Sequence, residues 1–192
     1  MILGWMADLE LFYIQQWAKK VPKNGVIVEI GSFMGKSAVC WATHCDPTVK
    51  VYCVDKFDED YRPTTLISSK NQPENTSIPH NGQVYNVYES FLENTACYKN
   101  IIPLRGNLPS EILYPGDAID LLFVDLSHTN PIDWDSILFF KSFMKSNSII
   151  CGHDYTSLFP DVVENAKQLS EMYGNPVECK TNTLLWSVKV NT

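Results

Sequence analysis

Short apolar runs alternate along the chain with stretches in which apolar residues recur every three or four positions. Leu11, Ile14, Trp17 and Ala18 share one face if residues 10–20 are helical, and Pro22-Lys-Asn-Gly25 is a strong stop. The run Val26-Ile-Val-Glu-Ile30 follows, β-branched and apolar apart from Glu29. That composition suits a strand covered on both faces of a parallel sheet. Further strands are predicted at Lys50–Val54, from Ile101–Pro103, at Ile119–Val124 and at Ser148–Cys151. Helices are predicted over Gly35–His44, Tyr88–Tyr98, Asp133–Met144 and Ser157–Tyr173, the last closed by Gly174. Val177–Val190 holds two short runs around Thr181-Asn182, which predicts an antiparallel hairpin. The alternation implies an α/β fold, a Rossmann-like, mostly parallel seven-stranded sheet flanked by helices, in one domain over 1–192.

Residues 57–86 break this rhythm. They are polar, rich in proline and asparagine, and sit between a strand and a helix. A polar insertion of this kind is either a functional lid or disordered, and both readings stay open.

Composition narrows the class of function. Among 192 residues, 45% are hydrophobic and 19% charged, enough apolar mass for a core and too much for a disordered chain. Fifteen Lys and Arg against 22 Asp and Glu leave a net charge of −7, which argues against a phosphate-backbone binder, so no nucleic-acid partner is expected. No apolar run approaches the roughly 18 residues of a membrane span. Met1–Met6 lacks a basic segment that would open a secretory signal. The six cysteines never form C-x-x-C, as expected of free, largely buried thiols in a cytoplasmic protein. Oligomeric state leaves no mark in the sequence, and a homo-oligomer stays open.

Strand one runs into Gly31-Ser-Phe-Met-Gly35-Lys-Ser, a turn that lets backbone approach a ligand at the amino end of a helix. Three readings compete. Gly35-Lys36-Ser37 ends like a P-loop, but the preceding glycine stands one residue too close. A dinucleotide fingerprint would need a middle glycine, which is absent. A nucleoside with a charged amino-acid tail needs only one glycine turn and an acid after strand two. Asp55, 24 residues beyond Gly31, supplies that acid for the ribose hydroxyls.

A second constellation stands at two strand ends, Val124-Asp-Leu-Ser-His128 and Gly152-His-Asp-Tyr155. Adjacent parallel strands would bring Asp125, Asp154, His128 and His153 to one rim. Carboxylates with a histidine suit a hard divalent cation such as Mg²⁺, with Asp125, His153 and Asp154 as the ligand set. The cation would acidify a substrate hydroxyl and His128 would take its proton. The plainer reading makes Asp125 a helix cap and His153 a satisfied buried histidine.

The segments from Val28 to Ser37, Val54-Asp55, Phe123–His128 and Cys151–Tyr155 resemble class I S-adenosylmethionine-dependent methyltransferases. Among these the chain looks most like the small-molecule branch with the macrocin-type sugar O-methyltransferases, and less like catechol O-methyltransferases. The resemblance covers roughly residues 1–190. It implies that Gly31, Ser32, Phe33, Gly35, Lys36 and Ser37 cradle the methionine part of the cofactor, with Glu29 nearby. It further implies Asp55 on the ribose, Asn107 beside the adenine, and Asp125 and Asp154 at metal-ligand positions, with Asp125 also bordering the cofactor. His128 falls where related enzymes place a base. The chain departs from the pattern at His153-Asp154, where catechol-type enzymes have Asp-Asn, and at Leu126-Ser127, where many relatives carry Gly-Asp. Lys145–Ser148 replaces a glycine-containing turn.

These readings together predict methyl transfer from S-adenosylmethionine to a hydroxyl of a small-molecule acceptor, such as a sugar. An NAD- or nucleotide-binding enzyme and an inactive methyltransferase-fold binding module are the alternatives.

Overall fold

The computed structural model describes residues 2–58, 60–61 and 84–191. Most of the polar insertion lies outside the described residues; at its two ends, β3 (Asp60–Tyr61) and β4 (Tyr85–Asn86) pair antiparallel.

The main sheet has seven strands: β1 (Val26–Ile30), β2 (Lys50–Asp55), β5 (Ile101–Arg105), β6 (Ile119–Val124), β7 (Met144–Gly152), β8 (Glu178–Cys179) and β9 (Trp186–Lys189). Their order is β5-β2-β1-β6-β7-β9-β8. The first five are mutually parallel, and β9 runs antiparallel between β7 and β8, which makes the expected hairpin the closing edge. After β1 the chain builds outward through β2 and β5, then crosses back to place β6 on the other side of β1. In open α/β sheets, ligands bind at the carboxyl ends of the strands beside such a switch point.

The alternation of side chains across β1 divides the core. Ile27, with Cys53, Leu121 and Phe123, packs against α1 (Asp8–Ala18), α2 (Lys36–His44) and α3 (Val87–Thr95). Val26, Val28 and Ile30 face the opposite layer, α4 (Ile132–Lys141) and α5 (Pro160–Tyr173). Trp41 and Phe123 meet edge to face on the first side, and Phe140 fills the second. Helix starts follow local chemistry. Asn86 caps α3 by accepting Glu89 N, and Pro160, with no N–H to lose, opens α5 three residues later than the pattern suggested. Cys40, Cys45, Cys53 and Cys151 are buried free thiols; Cys97 and Cys179 are free and exposed. Among the described residues, no helix is long and apolar enough to cross a membrane.

The boundary between α4 and β7 also departs from expectation. Helix α4 ends at Lys141 rather than Met144, and β7 begins at Met144, four residues before the predicted strand. The polar stretch 145–148 is looped out of the ladder, where the register jumps from Ile119↔Met144 to Leu121↔Ile149. Asn147 supplies the left-handed residue (φ 62°) that a glycine supplies in other turns, its N–H donating to Val190 O at 2.9 Å. Lys145 Nζ donates to Asp120 Oδ2, which also accepts Val26 N. Asn tolerates this conformation and β-branched residues do not. Asn147→Gly is therefore expected to leave stability within about 0.5 kcal/mol, and Asn147→Val to cost about 1–3 kcal/mol, in parallel urea titrations.

Candidate active site at the carboxyl edge of the sheet

The carboxyl ends of β1, β2, β6 and β7 are level: Ile30 pairs with Val54 and with Val124, and Val124 with Gly152. The residues that follow form one rim. Gly31 (φ 90°) is held so close to the end of β6 that a Cβ would lie 1.7 Å from Asp125 O. Glycine is required here by the approach of the β1 and β6 ends, which Asp125 N locks by donating to Ile30 O at 2.9 Å, while Gly31 N ties the loop to β2 by donating to Val54 O at 2.8 Å. Gly35 (φ 86°) serves packing instead: a Cβ would press on Phe91 and Thr95 of α3 at 3.1 Å.

Asp55 ends β2 and organises two loops. Its Oδ2 accepts Phe33 N at 2.9 Å and its Oδ1 accepts Phe57 N at 3.0 Å. Each oxygen keeps a further lone pair for an incoming hydroxyl. Phe33 and Phe57 both adopt left-handed backbone, φ 47° and 48°, as do His128 and Asp154 at 61°. Such residues cost about 1–3 kcal/mol each and gather where a site demands them.

These loops enclose a cleft of about 1220 Å³. Gly31, Phe33, Asp55 and Asn107, which end or follow β1, β2 and β5, line it together with Asp125, His128, His153 and Asp154, which follow β6 and β7. Asn107 is held by Glu111, which accepts both its backbone and side-chain N–H at 3.0 and 2.9 Å. Trp5, Phe33 and Tyr61 form a mutual aromatic cluster on the wall, with centroids 4.8–5.4 Å apart.

Five residues assigned to the cofactor cradle lie elsewhere. Glu29 points to the face opposite Val28 and Ile30, fully buried, with Trp41 Nε1 donating to Oε1 at 3.0 Å. Ser32 and Ser37 are buried beside it. Gly35 packs on α3, as described. Lys36 turns away from the cleft and donates to the carbonyls of Gly4 and Met6 at 3.2 and 2.7 Å. That direction removes the triphosphate reading, in which this lysine would reach phosphate.

Asp125, His128 and Asp154 converge. His128 Nε2 lies 2.9 Å from Asp154 Oδ2 and 3.5 Å from Asp125 Oδ1. One atom from each residue falls within 4.8 Å of the other two. The Asp125 and Asp154 carboxylates push the imidazole up to about 10 against the effect of burial, so it holds a proton at neutral pH. Burial would raise Asp154, yet His128 and His153 hold it well below the usual carboxylate range. The ring of Phe159 packs 4.5 Å from that of His128.

His153 does not join this trio. It is buried, with Nδ1 3.1 Å from Asp154 Oδ2 and Nε2 3.0 Å from Glu10 Oε1. Both ring nitrogens face carboxylates of the protein, and the three side chains that converge closely enough to hold a metal ion are Asp125, His128 and Asp154, in place of the expected Asp125, His153 and Asp154. Sequence reasoning missed Glu10, although its position one turn before Ile14 puts a charge on the apolar face of α1. Trp5, Tyr61 and Phe159 left no local signal.

Burial, opposed by Trp41 and the two serine hydroxyls, raises Glu29 to about 7. A carboxyl raised on folding stabilises fully below its unfolded value near 4.5 and loses that contribution as pH climbs through 7. The loss amounts to about 3 kcal/mol between pH 4.5 and 7. Glu29→Gln should flatten this fall in urea midpoints measured at pH 5 and 7.5; an unchanged slope would assign it elsewhere.

Residues 28–155, two thirds of the chain, match a family described as a methyltransferase domain. No curated protein matches significantly. Several solved structures share the fold. A Staphylococcus aureus protein provisionally assigned as a caffeoyl-CoA O-methyltransferase aligns with TM-score 0.69 and 13% identity, over 99% of this chain and 86% of its own. The O-methyltransferase NovP aligns with TM-score 0.67 and 15% identity, over 95% and 79%. CalS11, a TDP-rhamnose 3'-O-methyltransferase of calicheamicin biosynthesis, gives 0.63 and 13%, over 94% and 77%. The matched span runs from β1 through the glycine loop and Asp55 to the end of β7, and on that ground the chain belongs to the methyltransferase-domain family, with the class I fold of its S-adenosylmethionine-dependent members.

Proposed function

We propose that the chain transfers the methyl group of S-adenosylmethionine to a hydroxyl of a small molecule, a sugar being the favoured acceptor, with a divalent cation at the Asp125–His128–Asp154 group. The observation that carries this reading is one cleft lined by both a ribose-type carboxylate, Asp55, and a cation-type trio, Asp125, His128 and Asp154.

Bound in the cleft, S-adenosylmethionine supplies a sulfonium-activated methyl that leaves by in-line displacement. Binding and orientation fall to this chain. Asp55 would accept from the ribose hydroxyls, Gly31 would admit close backbone contact, and Asn107 would border the adenine. Phe33, Phe57 and Leu126 line the cleft with apolar surface that displaces water, and alignment without water is the larger part of catalysis for such a displacement.

The acceptor end fits oxygen chemistry. Two carboxylate oxygens and one imidazole nitrogen form a mixed hard donor set, and the buried His128 Nε2 has no well-directed hydrogen-bond partner. A divalent cation held by Asp125, His128 and Asp154 would lower the pKa of an acceptor hydroxyl. The cation and the proton on His128 occupy the same place between the two carboxylates, so ligation requires the neutral imidazole. CalS11 is described as a TDP-rhamnose 3'-O-methyltransferase and the Staphylococcus protein provisionally as a caffeoyl-CoA O-methyltransferase, and the O-methylation common to both descriptions supports a hydroxyl acceptor.

Calorimetric titration of the metal-stripped chain with S-adenosylhomocysteine, with NAD and ATP as controls, tests the cofactor. Micromolar binding of S-adenosylhomocysteine alone is expected, and Asp55→Ala should weaken it at least about tenfold, or 1.4 kcal/mol. Binding of NAD or ATP instead would overturn the reading. A panel of sugars and catechols with labelled S-adenosylmethionine then identifies the acceptor. Transfer lost on chelation and restored by Mg²⁺ is expected; transfer indifferent to chelation would remove the cation.

A further inference from the structure

Glu10 belongs to neither the cofactor end nor the cation trio, yet it is a charged side chain only 2% exposed and seated at the cleft. Its two oxygens are fully committed. Oε2 accepts Ala7 N at 2.9 Å, closing the first turn of α1. Oε1 accepts Leu184 N at 3.1 Å, from the turn between β8 and β9, and lies 3.0 Å from His153 Nε2. One carboxylate thus ties the start of α1, the closing hairpin and the end of β7.

From His153 the contacts continue. Nδ1 stands 3.1 Å from Asp154 Oδ2, and the same oxygen is 2.9 Å from His128 Nε2. Asp154 sits in left-handed backbone at φ 61°, a conformation that its own residue type does not enforce. The Asp154 carboxylate is met from two sides, by His128 Nε2 at 2.9 Å and by His153 Nδ1 at 3.1 Å, and of these His153 is the one tied to α1 through Glu10. A carboxylate oxygen stands beside each ring nitrogen, and His153 Nε2, like His128 Nε2, is buried without a well-directed hydrogen bond, so it is the charge on both sides that limits how far the ring turns about χ2.

We propose that Glu10 is a positioning residue for the Asp125–His128–Asp154 group, acting through His153 to set the direction of the Asp154 carboxylate and with it that of His128. The inference rests on the reading of that trio as the reactive end of the cleft. It gives α1 a role beyond covering the sheet: the amino-terminal segment carries the outer support of the site. Supports of this kind, behind a ligand rather than on the ion, cost 10–100-fold in metal affinity when removed.

The test uses the full chain and two variants that break the same link from either side, Glu10→Gln and His153→Gln. The second leaves the bonds from Ala7 and Leu184 to Glu10 intact, so it decides the matter should Glu10→Gln fail to fold. The histidine ring resonances of ¹⁵N-labelled protein are read at one pH, alongside Mn²⁺ affinity by electron paramagnetic resonance and S-adenosylhomocysteine affinity by calorimetry. The proposal expects His128 ring signals displaced in the same direction in both variants, with no further change in the double variant. Mn²⁺ binding should weaken at least about tenfold while S-adenosylhomocysteine binding stays within about twofold. Unmoved His128 signals in a folded variant would overturn it, as would equal losses for both ligands, the mark of a merely structural role. A wild-type chain that binds no Mn²⁺ would remove the cation from the proposed function and leave the histidine spectra to decide on Glu10.

Discussion

The site depends on how closely the ends of β1 and β6 approach at the switch point of the sheet. Gly31 packs against the carbonyl of Asp125 with no room for a side chain, and two backbone hydrogen bonds lock the level of β1 to that of β2 and β6. Because these ends are in step, Asp55 and Asp125 flank one loop, and the next strand brings Asp154 level with them. A slip of one residue would turn every side chain of the strand to the other face and empty the rim. The cleft is therefore a product of sheet register before it is a product of any particular side chain.

Two buried carboxylates show how similar groups take opposite roles. Glu29, beneath the glycine loop, has only neutral neighbours in contact, and burial raises it to about 7. Glu10 is also buried, but an imidazole and two backbone amides hold it below its ordinary value despite burial. The first is a polar group carried by the core; the second joins the ionic chain that ends at His128. A charged partner separates them: His153 stands beside Glu10, and only neutral groups hydrogen-bond Glu29.

Much of the fold was legible because its signals are local. Val26–Ile30 and Ile119–Val124 are strands by composition alone, and the hairpin announces itself at Thr181-Asn182. The rim followed from topology, since residues after neighbouring parallel strands must share an edge. The illegible parts depend on contacts distant in sequence. Gly35-Lys36-Ser37 suggests a phosphate site in one dimension, yet the amino-terminal carbonyls of Gly4 and Met6 decide where Lys36 points. The polar run 145–148 reads as a turn between a helix and a strand and is a loop-out within β7, because Asn147 can take the left-handed conformation. Glu29 resembles a cofactor contact by its motif, yet strand alternation with Ile27 assigns it to the other face, where it meets Trp41. The neighbour of His153 in the fold, Glu10, stands 143 residues earlier and leaves no sign beside it in the sequence.

A crystal structure of the full chain grown with S-adenosylhomocysteine and Mn²⁺ tests the central claim most directly. The account predicts ribose hydroxyls on Asp55, the sulfur directed toward the acceptor end, and an anomalous manganese peak among Asp125, His128 and Asp154. A nucleoside bound away from Asp55, or manganese held elsewhere with the trio unchanged, would contradict it.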